Sequence, residues 1–146
     1  MTAKQRYKFL ENFVTADMAF EAFGADLSEL FTNAAEAVAA AMVDPKSMAA
    51  KIKKVIKMQN KDLPNLMIDF LNEIIYYKDA ESTLFPKAKV TIAEKDGIYR
   101  LAADLAGDKI DFVKHKVEAD VKSATWHQFE LQKKGKQWYT RVVLDI

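Results

Sequence analysis

Apolar residues recur at three- and four-residue steps in two stretches of the chain, and this spacing predicts two amphipathic helices. The first begins after Asp26 and ends at Asp44-Pro45, because a residue before proline disfavours helical geometry. Its stripe comprises Leu27, Leu30, Phe31, Ala34, Val38, Ala41 and Met42. The second begins after Asp62 with Pro64 in its first turn. Its stripe comprises Leu63, Leu66, Met67, Phe70, Leu71, Ile74 and Ile75.

The other segments alternate between apolar and polar residues, as half-buried strands do. The predicted strands cover residues 7–10, 17–23, 51–58, 87–93, 98–105, 117–131 and 137–144. Glycines in Asp96-Gly97 and Lys134-Gly135-Lys136 predict hairpin turns, and the long segment 117–131 is expected to contain a bend or bulge. The order β-β-α-β-α, then a run of antiparallel strands, predicts one α+β domain over residues 1–146, with both helices packed on a mostly antiparallel sheet.

The chain has 146 residues and no cysteine. The absence of cysteine excludes thiol nucleophiles, cysteine-based zinc sites and disulfide frameworks. The N-terminus has no apolar core region, and the longest apolar run, residues 37–43, is too short to cross a bilayer. We therefore expect a soluble, cytoplasmic protein without a membrane partner.

A formal net charge of +1 gives the whole chain no strong positive field for binding DNA or RNA. Residues 45–61, however, contain six lysines and no acidic residue. In a strand, Lys51, Lys53 and Lys57 would share a face with Val55. These lysines either protect an edge strand from pairing with other chains or contact RNA phosphates.

The RNA interpretation corresponds to a stand-alone RNA-binding module that uses the basic stripe from Lys46 to Lys61. Tyr76, Tyr77 or Trp126 would then supply surfaces on which bases stack. Such a module would bind RNA without help from another protein, and its affinity would depend steeply on salt concentration.

Few residues could support catalysis by this chain alone. The four glycines are isolated, so no phosphate-binding loop is recognisable. The two histidines cannot form a three-ligand zinc site by themselves. We expect His115, which lies between two lysines, at the surface, and His127 in a sheet.

Carboxylates offer a different chemistry. Asp17 opens a predicted strand, Asp145 is the penultimate residue, and Ile146 carries a terminal carboxylate. If the hairpin before the first helix and the last strand are neighbours, these three groups could converge and bind a hard cation such as calcium or magnesium. Alternatively, Asp17 is a turn or capping residue and Asp145 a solvated strand end.

Five segments, in this order along the chain, resemble the archease family. They are TAD at 15–17, GADLSELFTNAA at 24–35, LMIDFLNE at 66–73, VKSATWH at 121–127 and VVLDI at 142–146. Many archeases have histidine immediately before the first of these motifs, where this chain has Val14. Any role that such an imidazole carries is therefore in doubt here.

The resemblance implies a metal-binding accessory protein, not an enzyme, whose partner is the catalytic subunit of the GTP-dependent tRNA-splicing RNA ligase. It implies that the protein promotes transfer of GMP to the ligase and multiple turnover, meeting RNA only indirectly or weakly. It also implies a divalent cation, calcium first and magnesium or manganese as alternatives, held by Asp17, Asp145 and Ile146. Supporting residues near the site would be Lys122, Thr125 and His127.

Overall fold

The computed structural model of the chain describes residues 6–11, 17–111, 113–115 and 117–146. These residues form two α-helices, α1 (Leu27–Met42) and α2 (Leu63–Glu81), and a short 3-10 turn at Pro45–Ser47. The strands of this part of the chain are β1 (Tyr7–Leu10), β2 (Met18–Gly24), β3 (Ile52–Asn60), β4 (Thr83–Lys95), β5 (Ile98–Lys109), β6 (Ser123–Lys134) and β7 (Gln137–Asp145). This order confirms the predicted α+β class.

The described strands are antiparallel and divide into two sheets. One sheet has the order β1-β2-β7-β6, and the other has the order β3-β5-β4. Both helices contact strands of both sheets. Residues of the helices and of both sheets therefore share one hydrophobic core.

Helix α1 is buried on almost every side, not only along its predicted stripe. Its buried residues include Asn33, Ala35, Ala37 and Ala39 as well as every stripe position except Leu27. Because α1 packs against β2 of one sheet and β4 of the other, it needs small or apolar side chains on opposite sides. The run of alanines lets both sheets approach it closely.

The helix starts agree with the sequence prediction. The Asp26 carboxylate accepts a hydrogen bond from the Glu29 N–H at 2.8 Å, and the Glu29 side chain accepts one from the Ala25 N–H at 2.9 Å. At the start of α2, the Asp62 carboxylate accepts a bond from the Asn65 N–H at 2.9 Å. These side chains satisfy backbone donors that the first helical turn leaves without partners.

The two edges of the three-stranded sheet differ. Side chains of α1, one turn apart, accept hydrogen bonds from alternate N–H groups of β4, so the helix covers that edge. The pairs are Ala88 with Glu36 at 3.0 Å, Val90 with Thr32 at 3.0 Å and Ile92 with Ser28 at 2.9 Å. Strand β3 forms the opposite edge, and among the described strands it pairs only with β5.

The predicted strand 117–131 is shorter at its start than expected. Val117 makes only an isolated bridge to Val43, and β6 begins at Ser123. The expected irregularity is present, because the pairing of β6 with β7 shifts between Thr125 and Glu130. None of the helices in the described part of the chain combines the length and apolarity needed to span a membrane.

Candidate metal centre at the end of the β2–β7 pair

Asp17 and Asp145 lie at the same end of the four-stranded sheet. The β2–β7 ladder pairs Met18 with Leu144 and Ala19 with Val143. Asp17 directly precedes β2, and Asp145 is the last residue of β7. The antiparallel pairing therefore brings the two residues to one end of this strand pair, where both carboxylates could contribute to one cation site.

Both aspartates are exposed. Neither carboxylate forms a hydrogen bond or ion pair with another described residue. Like charges at one end of the sheet repel each other, and a cation bound by both carboxylates would relieve the repulsion. Ile146 follows directly and is 38% exposed.

Strand β6 fixes the backbone on the other side of Asp145. Ser123 pairs with Asp145, and the Lys122 N–H donates to the Asp145 carbonyl at 2.7 Å. The Thr125 hydroxyl donates to the Val143 carbonyl at 2.9 Å. These contacts explain why residues 122–125 lie beside the sheet end, as the family resemblance suggested.

Helix α2 holds the start of β6 through one amide side chain that the sequence interpretation missed. Asn72 accepts a hydrogen bond from the Ala124 N–H at 2.8 Å and donates one to the Ala124 carbonyl at 3.1 Å. Ala124 is 5% exposed, so these backbone groups have little access to water. Asn72 lies outside the predicted apolar stripe of α2, so helical periodicity gave no signal for it, and its place in the family-like segment 66–73 is the signal that could have identified it.

The donor set at this end is small. No group of three or more His, Cys, Asp or Glu side chains within the described ranges is arranged to hold a metal ion. Asp17, Asp145 and a terminal carboxylate at Ile146 are hard oxygen donors, which suit calcium or magnesium, but calcium takes six to eight oxygens. Metal binding by these residues stays a prediction. Val14, Thr15 and Ala16 lie outside the described residues.

The two histidines occupy different environments. His127 lies in β6, which agrees with its expected place in a sheet. It is exposed and falls within the irregular stretch next to Trp126, which is 52% exposed. The expectation of a surface position for His115 was wrong, because this residue is only 5% exposed. Its Nδ1 accepts a hydrogen bond from the Asp111 N–H at 2.9 Å, so the loop folds over the imidazole despite the neighbouring lysine.

A row of alternating charges crosses one face of the four-stranded sheet. The register aligns Lys8, Glu21, Arg141 and Glu130. Lys8 Nζ lies 3.2 Å from Glu21 Oε1, and Arg141 Nη2 lies 2.6 Å from Glu130 Oε2. The charges of this row are therefore paired across the strands.

The Tyr139 hydroxyl donates a hydrogen bond to the Glu21 carboxylate. Burial acts to raise the pKa of Glu21, but hydrogen bonds from Tyr139 and Lys8 outweigh it and leave the pKa below its ordinary value of 4.5. Burial and the bond to Glu21 raise the pKa of Tyr139 well above its ordinary value.

The lysine-rich segment forms β3 and the residues before it. Lys53, Val55 and Lys57 are exposed, while Lys54 faces the helices, where its ammonium lies 4.2 Å from the centre of the Tyr77 ring. The structure therefore does not place Tyr77 on the face of Lys53 and Lys57. The prediction of an edge strand is confirmed for the described sheet.

Comparison with known proteins supports one family. Residues 7–146 match the model of the Archease protein family. Protein archease of Methanosarcina mazei is 32% identical over 143 residues, covering 97% of this chain and 97% of the relative. The solution structure of Methanobacterium thermoautotrophicum protein 1598 has a TM-score of 0.83 and 34% identity, covering 96% of this chain and 98% of that chain.

A second solved structure is the crystal structure of an archease from Thermotoga maritima, which is described as a possible chaperone. It has a TM-score of 0.61 and 18% identity, covering 91% of this chain and 93% of that chain. At this identity the likeness concerns the fold alone. The family match and the relatives above 30% identity extend over nearly the whole chain. The chain therefore belongs to the archease family.

Proposed function

We propose that this protein is a metal-binding accessory factor that activates the GTP-dependent tRNA-splicing RNA ligase, promoting its guanylylation and multiple turnover. Membership of the archease family supports this role. The observation that carries it is the β2–β7 register, which brings Asp17 and Asp145 to one end of the sheet. In this proposal the chain contributes no nucleophile, and the ligase supplies the nucleotide and its own catalytic residues.

Asp17, Asp145 and, in a chain that ends there, the carboxylate of Ile146 would hold the cation. Calcium is the first candidate, with magnesium or manganese as alternatives. Three donors leave coordination positions for water or for groups of the ligase. Pairing with β6 through Lys122 and Ser123 keeps the Asp145 backbone in place, so the carboxylates meet the partner in a fixed arrangement.

When bound, such a cation supplies positive charge that neutralises phosphate oxygens at the nucleotide site of the ligase. The aspartates orient this charge toward the partner. Their exposure at the sheet end allows the ligase to approach them directly.

The test is a ligation assay with limiting ligase, comparing the product per ligase molecule with and without this protein. We expect multiple turnover only when the wild-type chain is added. Asp17→Asn and Asp145→Asn preserve side-chain size but remove a charge, and each should abolish stimulation. Isothermal titration with Ca²⁺ should show weaker binding by both variants than by the wild type.

Glu94→Gln is the matched control, because it removes one exposed carboxylate from β4, in the other sheet, and should change neither measurement. A peptide extension beyond Ile146 converts the terminal carboxylate into an amide and should also abolish stimulation, whereas the same extension at the N-terminus should not. Full stimulation by both aspartate variants would show that the mechanism is wrong.

A further inference from the structure

The outer face of the three-stranded sheet carries an excess of positive charge. Residues that point toward the helices, such as Ile56, Val90 and Leu101, are buried, whereas the alternate residues point away. The charged outward residues comprise the cations Lys53, Lys57, Lys87, Lys89, Lys95 and Arg100 and the anions Asp104 and Asp108. We call these residues the basic face.

Six cations against two anions give the basic face a net charge of +4. Since the whole chain has a formal charge of +1, the rest of the molecule carries a net charge of −3. Of these residues, sequence reasoning identified only Lys53 and Lys57. The register adds the others, because it aligns Lys53 with Ala106 and Lys87, and Val55 with Asp104 and Lys89.

The cations of the basic face form no ion pair with another described residue. This differs from the four-stranded sheet, where Lys8 with Glu21 and Arg141 with Glu130 pair across the strands. On the basic face, Lys57 lies opposite Ala102 and Lys87 lies opposite Ala106. Lys89 lies opposite Asp104, and after both anions are counted the net charge of +4 is left for an external ligand.

The centre of the basic face is shallow and lined by small side chains. An open depression of about 500 Å³ lies over it, and its lining includes Lys57, Thr91, Ala93, Arg100 and Ala102. Adjacent strands are about 4.8 Å apart, so long basic side chains surround a floor made of alanine and threonine. An extended polyanion can lie across this floor without displacing any bulky side chain.

The composition of the face favours a nucleic-acid backbone over a protein partner. Protein interfaces are depleted in lysine and are centred on buried aromatic or aliphatic residues. Here the exposed large apolar side chain is Val55, at 60%, and no aromatic residue occupies an outward position within residues 53–59, 87–95 and 98–106 of these strands. Lysine and arginine without stacking residues are typical of contacts to phosphates, which do not read sequence.

We infer that the basic face of β3, β5 and β4 binds the phosphodiester backbone of RNA independently of sequence. The choice of RNA over DNA rests on the proposed function, which places the protein beside an RNA ligase. The face belongs to a different sheet from Asp17 and Asp145. The protein could therefore contact RNA on one sheet while the end of the other sheet meets the ligase.

The test is fluorescence anisotropy of a labelled oligouridylate with the full chain and no ligase, repeated at several salt concentrations. If four cations contact phosphates, the slope of log K against log salt is about −3, which is an affinity loss of about 50-fold between 50 and 200 mM salt. The triple variant Lys57→Ala, Lys89→Ala and Arg100→Ala should flatten this slope by about 2.

The matched control is the triple variant Lys114→Ala, Lys133→Ala and Lys136→Ala, which removes three exposed charges elsewhere and should leave the slope unchanged. The inference is wrong if the wild type shows no salt-dependent binding at low salt, or if both triple variants weaken binding equally. Competition by polyglutamate as strong as that by oligouridylate would instead identify an acidic protein as the ligand. Because the assay contains no ligase, its failure leaves the proposed activation untouched, and loss of stimulation in Asp17→Asn leaves this inference untouched.

Discussion

The contact between Asn72 and Ala124 should contribute strongly to stability. The substitution Asn72→Ala removes both hydrogen bonds, at 2.8 and 3.1 Å, that the amide makes to the backbone of β6. Ala124 is 5% exposed, so water replaces the lost partners only incompletely. A buried backbone group without a partner costs about 1–3 kcal/mol. Because water restores part of the lost bonding, we expect the two groups together to lower the free energy of unfolding by about 2–4 kcal/mol.

The assay is urea unfolding followed by circular dichroism, together with thermal unfolding. For a domain of this size, the expected loss corresponds to a decrease in Tm of roughly 5–15 °C. Amide exchange at Ala124 should also accelerate, because the edge strand β6 loses its tie to α2. The control Asn65→Ala removes an exposed amide from the same helix and should change stability by less than about 0.5 kcal/mol. If Asn72→Ala were equally mild, the reasoning about unpaired backbone groups at this site would be refuted.

Two further substitutions test other buried hydrogen bonds. Thr32→Val leaves the buried Val90 N–H without its acceptor and should cost about 1–3 kcal/mol in urea unfolding, whereas Thr91→Val on the exposed face should cost almost nothing. Tyr139→Phe removes the hydrogen bond to Glu21, so the Glu21 pKa measured by NMR should rise toward 4.5. Because the bond lowers that pKa in the folded state, its stabilisation of about 1.5 kcal/mol is present above pH 4.5 and disappears as the pH falls through the folded-state pKa. An equal loss of stability at every pH would contradict this assignment.

Local features were predictable because they depend on neighbouring residues. Asp26 and Asp62 are helix caps because their carboxylates accept hydrogen bonds from N–H groups three positions ahead. Gly97 and Gly135 adopt positive φ values of 75° and 64° in the hairpins, a conformation that glycine adopts without strain. The alternation of residues 51–58 correctly separated Lys53 and Lys57 from Ile56, since side chains alternate across any strand.

Features that join distant segments were not predictable in the same way. The burial of α1 on opposite sides depends on its position between two sheets, which a single apolar stripe does not reveal. The covering of the β4 edge requires Thr32 to meet Val90, 58 positions further along the chain. His115 was misplaced because a local pattern of charges says nothing about the loop that folds over it.

The candidate metal centre also combines a local feature with one that joins distant segments of the chain. The sequence by itself determined its chemistry, namely the oxygen donors Asp17, Asp145 and a terminal carboxylate at Ile146, and the family resemblance selected the same three. Only the tertiary structure decided that the two aspartates lie at one end of the sheet, through a ladder between strands at opposite ends of the chain. Likewise, it joined lysines of β3 and β4 across β5 into the basic face. The physical reason is that side-chain chemistry and alternation are local properties, whereas proximity is set by strand pairing and packing over the whole chain.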